Sequence, residues 1–343
     1  MRKVISFSEL HPFCYFHNRT VFENGSLHLS FPASGFTIRF SGNGARICFD
    51  HYQQENHDPC YVTVILDGKS QRFPIATGTE VLPLEDLCEG EHTLTCLRNN
   101  EVRSPELPTF LSISTLIIDG SNPALLPAPE RKAHRMLFLG DSITCGWGVR
   151  TPPIEGYTYR PQDADVTMAY AYRTAVAFDA DYQILAASGQ GIVKNCGAET
   201  GYRIPVLFHD REYNGRPYNF TEFSPQVVVI NAGTNDCGGH VAVSEFIDGA
   251  QSFLHEIRSI YPDAEIIWTL GLMGNAYADG LQALFASQQT DAHMHYLPMK
   301  ALDAKQAEIG GCGHPSIQGQ TRCASLLCEK IAALTGWSYH KDI

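Results

Sequence analysis

The sequence predicts two folded parts in series, an all-β sandwich of jelly-roll type followed by an α/β domain built on a parallel sheet. Three observations carry this. The chain has 343 residues, enough for two independently packed cores. Up to about Asp119 its apolar residues fall in short β-branched and aromatic runs between Gly, Asn and Asp turn signals. Beyond about Arg135, runs that read as buried strands alternate with stretches of helical spacing.

In the first part the expected strands are Leu27–Phe31, Phe36–Phe40, Ala45–Phe49, Tyr61–Leu66, Thr93–Leu97 and Phe110–Ile118. Asp67-Gly68, directly after Leu66, is a good two-residue hairpin turn. No long amphipathic helix interrupts these runs. From Asp119 to Glu130 the chain carries three prolines among polar turn residues, the composition of a linker. The expected division is therefore a sandwich over 1–122, a linker over 123–133 and an α/β domain over 134–343.

In the second part Met136–Leu139, Tyr182–Ala186, Val227–Ile230 and Glu265–Leu270 read as buried strands. Thr167–Phe178, Val243–Ile260, Leu281–Gln289 and Ser316–Leu334 have helical spacing. Strands alternating with helices imply a parallel sheet covered on both faces. In such a sheet, chemistry collects at the loops that follow the carboxyl ends of the strands.

Composition narrows the function. Hydrophobic residues make up 44% and charged residues 18%, and no apolar run is long enough to span a bilayer. A formal charge of −12 excludes nucleic acid and anionic membrane as main partners, because both need a basic face. A neutral substrate such as a sugar fits it. Met1-Arg2-Lys3 is followed by too few apolar residues for a secretory signal, so a cytoplasmic location is expected. The odd count of eleven cysteines, with no CxxC pair, points to reduced thiols.

The strand ending at Leu139 runs into Gly140-Asp141-Ser142-Ile143-Thr144, which sets Ser142 where a nucleophile can be reached. A GxSxG elbow is absent, which argues against an α/β-hydrolase. A lone GDS is weak evidence, since such a serine also serves as a helix cap. Three further blocks follow in order: Ser188-Gly189-Gln190-Gly191-Ile192, Gly233-Thr234-Asn235-Asp236 and His314-Pro315-Ser316.

Together these four blocks, over about Arg135 to Leu334, resemble an SGNH/GDSL hydrolase. With Gly-Asp-Ser-Ile-Thr-Cys-Gly-Trp-Gly148 and Trp268-Thr-Leu-Gly-Leu-Met-Gly274, the sequence more narrowly resembles carbohydrate esterase family 2, whose members set a β-sandwich ahead of the hydrolase domain. The resemblance implies a three-layer, flavodoxin-like domain. It also implies that Ser142 attacks an ester carbonyl, with His314 as general base. The oxyanion donors it implies are the backbone N–H groups of Ser142 and Gly189 and the side chain of Asn235. The implied activity is an O-acetylesterase acting on xylan- or mannan-derived oligosaccharides. An esterase or thioesterase for other acyl groups, and a catalytically dead glycan-binding protein, stand as alternatives.

The sequence departs from most SGNH enzymes just before the histidine. Where they place an aspartate, this chain has Gly310-Gly311-Cys312-Gly313. The expectation is therefore a Ser–His dyad with a backbone carbonyl orienting the imidazole, rather than Asp303 or Glu308. Trp147 and Trp268 are candidates for sugar-stacking surface, against the alternative of ordinary packing; Tyr157 and Tyr159 are weaker candidates. Asp141 and Asp236 are read as loop-fixing residues. His293-Met-His295 lacks a third ligand at a recognisable spacing, and Gly189-Gln-Gly191 lacks the third glycine of a dinucleotide loop, so neither metal nor cofactor is expected. The expected partner is an acetylated oligosaccharide substrate.

Overall fold

The computed structural model describes residues 1–51, 59–76, 78, 80–101, 111–154, 156–197, 200–212, 215–287 and 291–341. Phe110 and Gln289, which end two of the expected elements, lie outside these residues. The chain divides into two compact units. The first is Met1–Arg131 with the short segment Arg211–Asn214; the second is Lys132–Asp210 with Gly215–Ile343.

The first unit holds two antiparallel sheets. In one, Leu111–Asp119 lies between Ser26–Leu29 and Gly44–His51, with Val21–Glu23 and Glu80–Leu84 outside them; Arg2–Ser6 also pairs with Leu111–Asp119. In the other the order is Ala124–Leu126, Gly35–Gly42, Gly90–Arg98, Cys60–Leu66 and Lys69–Ile75, and Tyr15–His17 also pairs with Gly35–Gly42. Period-2 alternation turns Phe36, Ile38 and Phe40 of one sheet and Ile47 and Phe49 of the other into one buried cluster. Asp67 and Gly68 both take positive φ, 49° and 78°, which matches the twist of the strands they join.

The expected linker needs correction. Ala124–Leu126 is a strand, paired antiparallel with Gly35–Gly42 so that Leu126 faces Arg39. The prolines on either side are tolerated because this strand is the edge of its sheet, where one side needs no ladder bonds.

The second unit is built on a five-stranded parallel sheet. Its strands are β1 His134–Gly140, β2 Ala180–Ala186, β3 Val227–Asn231, β4 Glu265–Leu270 and β5 Met294–Pro298, in spatial order β2-β1-β3-β4-β5. All pairings are parallel, with Leu139 flanked by Leu185 and Ile230. β2 and β3 are buried at every residue, as expected of strands covered on both faces. The helices are α1 Ser142–Cys145, α2 Tyr170–Ala177, α3 Ile204–His209, α4 Thr234–Gly238, α5 Val243–Ile260, α6 Ala278–Ser287 and α7 Ile317–Thr335. α5 buries Phe246, Ala250, Phe253, Leu254 and Ile257 along one stripe. α7 begins at Ser316, whose Oγ accepts the N–H groups of Gln318 and Gly319, and it packs against α2. Because β1 lies between β2 and β3, the loops leaving these three strands emerge side by side at one end of the sheet.

Candidate active site

Ser142 opens α1, directly beyond the end of β1. The turn between them is locked in several ways. The Asp141 carboxylate accepts the N–H of Ile143 at 3.0 Å, and the Asp141 carbonyl accepts those of Thr144 and Cys145. At Gly140 only glycine fits, since a Cβ would sit 2.1 Å from the Thr144 hydroxyl oxygen. Gln320 of α7 donates to the Ile143 carbonyl at 2.8 Å and accepts from the Tyr170 N–H at 2.8 Å. Sequence reasoning missed Gln320, and no local signal marks a residue so distant along the chain.

His314 reaches Ser142 from the far end of the sequence. Its Nε2 lies 2.9 Å from Ser142 Oγ, and its Nδ1 lies 3.3 Å from the Cys312 carbonyl oxygen. A carbonyl only accepts, so Nδ1 carries the hydrogen and Nε2 is left to accept the serine proton. Burial is the main cause that lowers the imidazole pKa from 6.5 to about 4, while its hydrogen bonds to the Cys312 and Gly311 backbone oppose the shift. Among the described residues no carboxylate bonds Nδ1. Glu308 pairs with Arg322 at 2.6 Å and accepts from the Asp303 N–H, and the Asp303 carboxylate accepts from the Lys305 N–H.

Gly189 lies in the loop after β2 with φ +82°, and a Cβ there would meet nothing within 4 Å. Among the described residues neither its N–H nor that of Ser142 has an acceptor. The loop is tied to α4 by Asp236, whose carboxylate accepts the N–H groups of Ile192, Val193 and Lys194 at 2.7 to 3.1 Å. Asn235, also on α4, is buried and points its Nδ2 at the Asp141 carboxylate and the Gln190 carbonyl, each 2.9 Å away. The loops after β1, β2 and β3 thus bring Ser142, Gly189 and Asn235 to one end of the sheet.

The two tryptophans separate. Trp147 lies beside the imidazole, with ring centroids 4.3 Å apart at 43°, and it stacks with Tyr159 at 5.6 Å and meets Tyr157 edge-on at 5.4 Å. Trp268 is not cleft surface, which corrects the expectation. It is 0% exposed, packs edge-on against Phe246 at 6.1 Å and donates its Nε1–H to the Ala232 carbonyl. Its strand is buried from Ile266 to Leu270, so even a large aromatic within it is core. His293 and His295 both hydrogen-bond the Glu265 carboxylate, at 2.8 and 2.7 Å, which accounts for their spacing without a metal.

Chemically, the arrangement can deliver a hydroxyl, deprotonated by a neutral imidazole, to a carbonyl whose developing charge meets backbone and amide donors. No helix among the described residues is long and apolar enough to cross a membrane.

Two stretches of the chain match known protein families. Residues 138–322 match the profile described as GDSL-like Lipase/Acylhydrolase family, and residues 16–129 match that described as Carbohydrate esterase 2 N-terminal. The cellulase/esterase CelE of Acetivibrio thermocellus is 29% identical over 76% of this chain, and an acetylxylan esterase / glucomannan deacetylase of Cellvibrio japonicus is 31% identical over 60%. The matched regions span 32% and 55% of those proteins, so the chain corresponds to a part of each. A solved structure of a family two carbohydrate esterase from Clostridium thermocellum, in complex with cellohexaose, superposes with a TM-score of 0.84 at 25% identity, covering 94% of this chain and 99% of that one.

Proposed function

From the premise that this chain belongs to the GDSL-like lipase/acylhydrolase family, we propose that it removes acetyl groups from carbohydrate esters, with Ser142 as nucleophile and His314 as general base. The observation that carries the reading is the 2.9 Å approach of His314 Nε2 to Ser142 Oγ, with Nδ1 turned to a backbone carbonyl. In this mechanism His314 takes the serine proton as Oγ attacks the ester carbonyl. The oxyanion forms against the N–H groups of Ser142 and Gly189 and the amide of Asn235, each such donor contributing about a hundredfold or more to turnover. The imidazolium then returns its proton to the departing sugar oxygen, leaving an acetyl-enzyme. Water, deprotonated by the same imidazole, releases acetate and restores the serine.

The dyad, with the Cys312 carbonyl in place of a carboxylate, is part of the proposal. So is the substrate class. Acetylated xylo- and manno-oligosaccharides are favoured by the named activity of the Cellvibrio japonicus relative and by the match of the first unit to the carbohydrate esterase 2 profile. Mass spectrometry of such oligosaccharides before and after incubation tests the reading. Stepwise loss of acetyl groups with the native chain, and none with Ser142→Ala, is the expected result. Retained glycan binding without any deacetylation would favour a binding protein. Faster hydrolysis of butyrate or octanoate esters than of acetate would favour another acyl group.

A further inference from the structure

Asn235 can act as a donor only if its amide faces the right way, and an asparagine side chain is nearly symmetric in shape. Something must hold its Nδ2, rather than its Oδ1, toward the reacting centre. Two acceptors do so here: the Asp141 carboxylate and the Gln190 carbonyl, each 2.9 Å from Nδ2. Turning the amide over would set Oδ1 against an anion and a carbonyl oxygen at once.

We propose that Asp141 is a positioning residue for the reaction, fixing through its second carboxylate oxygen the sense of the Asn235 amide, so that a hydrogen and not an oxygen is offered to the oxyanion. This rests on the reading of Asn235 as an oxyanion donor. The two acceptors are unequal. A charge-assisted bond is roughly twice as strong as a neutral one, so the Asp141 bond persists while the hydrogen now given to Gln190 is shared with the developing oxyanion. Gln190 is itself held in place, because Asp236 gathers the amides of Ile192, Val193 and Lys194, in the same loop, onto α4 beside Asn235. Asp141 also directs its first oxygen to the Ile143 N–H, so one carboxylate fixes both the nucleophile's turn and the donor.

That division of labour supplies a selective variant. Asp141→Asn keeps an oxygen for the Ile143 N–H but puts an NH2 group opposite Asn235 Nδ2. Either amide can turn over to relieve the donor–donor contact, and each choice breaks another bond. Turning the introduced amide removes the cap on Ile143, while turning that of Asn235 presents an oxygen to Gln190 and to the oxyanion.

The test is a double-mutant cycle on 4-nitrophenyl acetate with the full chain, using Asp141→Asn, Asn235→Ala and the two combined. Rates are taken per folded molecule from circular dichroism. Asn235→Ala is expected to lower kcat by about a hundredfold. Asp141→Asn is expected to lower kcat at least about tenfold with KM within about twofold, because the loss falls on the transition state. The double variant should be no more than about twofold slower than Asn235→Ala alone, since the introduced amide still caps the Ile143 N–H and no Asn235 amide remains to be oriented. A native rate for Asp141→Asn beside an impaired Asn235→Ala would overturn the proposal while leaving the donor reading intact. Multiplying losses in the double variant would do the same. A native rate for Asn235→Ala would overturn the donor reading, and the positioning role with it. Should Asp141→Asn not fold, Asp141→Ser carries the same expectations, being able to cap Ile143 but too short to reach Asn235.

Discussion

The imidazole Nδ1 of His314 lies 3.3 Å from the carbonyl oxygen of Cys312, a residue held at φ +50°. A backbone group thus stands where most triads place a carboxylate, and the left-handed turn aims it. The Cys312 side chain is exposed. What matters at this position is the conformation and not the thiol. Cys312→Gly keeps that conformation and removes a strain of about 1 kcal/mol, so its kcat on 4-nitrophenyl acetate is expected to stay within about twofold of native. Cys312→Pro fixes φ near about −65° and cannot adopt the turn, so a loss of about a hundredfold is expected from the misplaced imidazole. Equal rates for the two variants would contradict this account of the carbonyl.

Activity should persist far into acid. His314 must be neutral to accept a proton, and burial brings its pKa down to about 4. The base is therefore lost only as pH falls through that value, and kcat/KM should be flat from there to neutrality on its acid side. A profile of kcat/KM against pH on a non-ionising acetate ester measures this limb. A limb near 6.5, the ordinary value, would mean that the imidazole is solvated in the working enzyme.

Trp147 packs against the half-buried imidazole, its ring 4.3 Å from that of His314. Removing it should readmit water and move the acid limb back toward 6.5. Trp147→Ala is thus expected to raise the limb and to lower kcat/KM about tenfold at neutral pH, whereas Trp147→Phe should do less of both. An unchanged limb in Trp147→Ala would assign the desolvation to other neighbours.

Trp268 should behave as core. Trp268→Ala leaves a large cavity under Phe246 and an unpaired Ala232 carbonyl, at a cost of about 3–5 kcal/mol in denaturant unfolding. Oligosaccharide KM should be unchanged in whatever fraction remains folded. A raised KM with native stability would return Trp268 to the substrate surface.

The legible parts of this chain are those where side-chain pattern and burial coincide. Val227–Ile230 is apolar without interruption because both faces of β3 are covered, and the stripe from Phe246 to Ile257 marks α5 between Val243 and Ile260. Ser142, Gly189, Asn235 and His314 are visible as an ordered set. β5 escapes a pattern reading, because His-Tyr-Leu-Pro at a sheet edge carries a weak apolar signal. Ala124–Leu126 is hidden by its flanking prolines. Trp268 misleads by its residue type, although its place in an apolar run already argues for burial. The contacts that set the chemistry are the least legible: the bond from Asn235 to Asp141 joins residues 94 apart in the chain, and nothing local in the sequence marks it.

In the proposed mechanism Ser142 carries the acetyl group during turnover. Acid quenching of the enzyme in the presence of saturating 4-nitrophenyl acetate, followed by peptide mass spectrometry, tests it most directly. The expected result is an acetyl adduct on the peptide containing Ser142, accumulating further in His314→Ala if that variant still acylates, and absent in Ser142→Ala together with the activity. Native turnover by Ser142→Ala, or an adduct confined to another residue, would contradict the account.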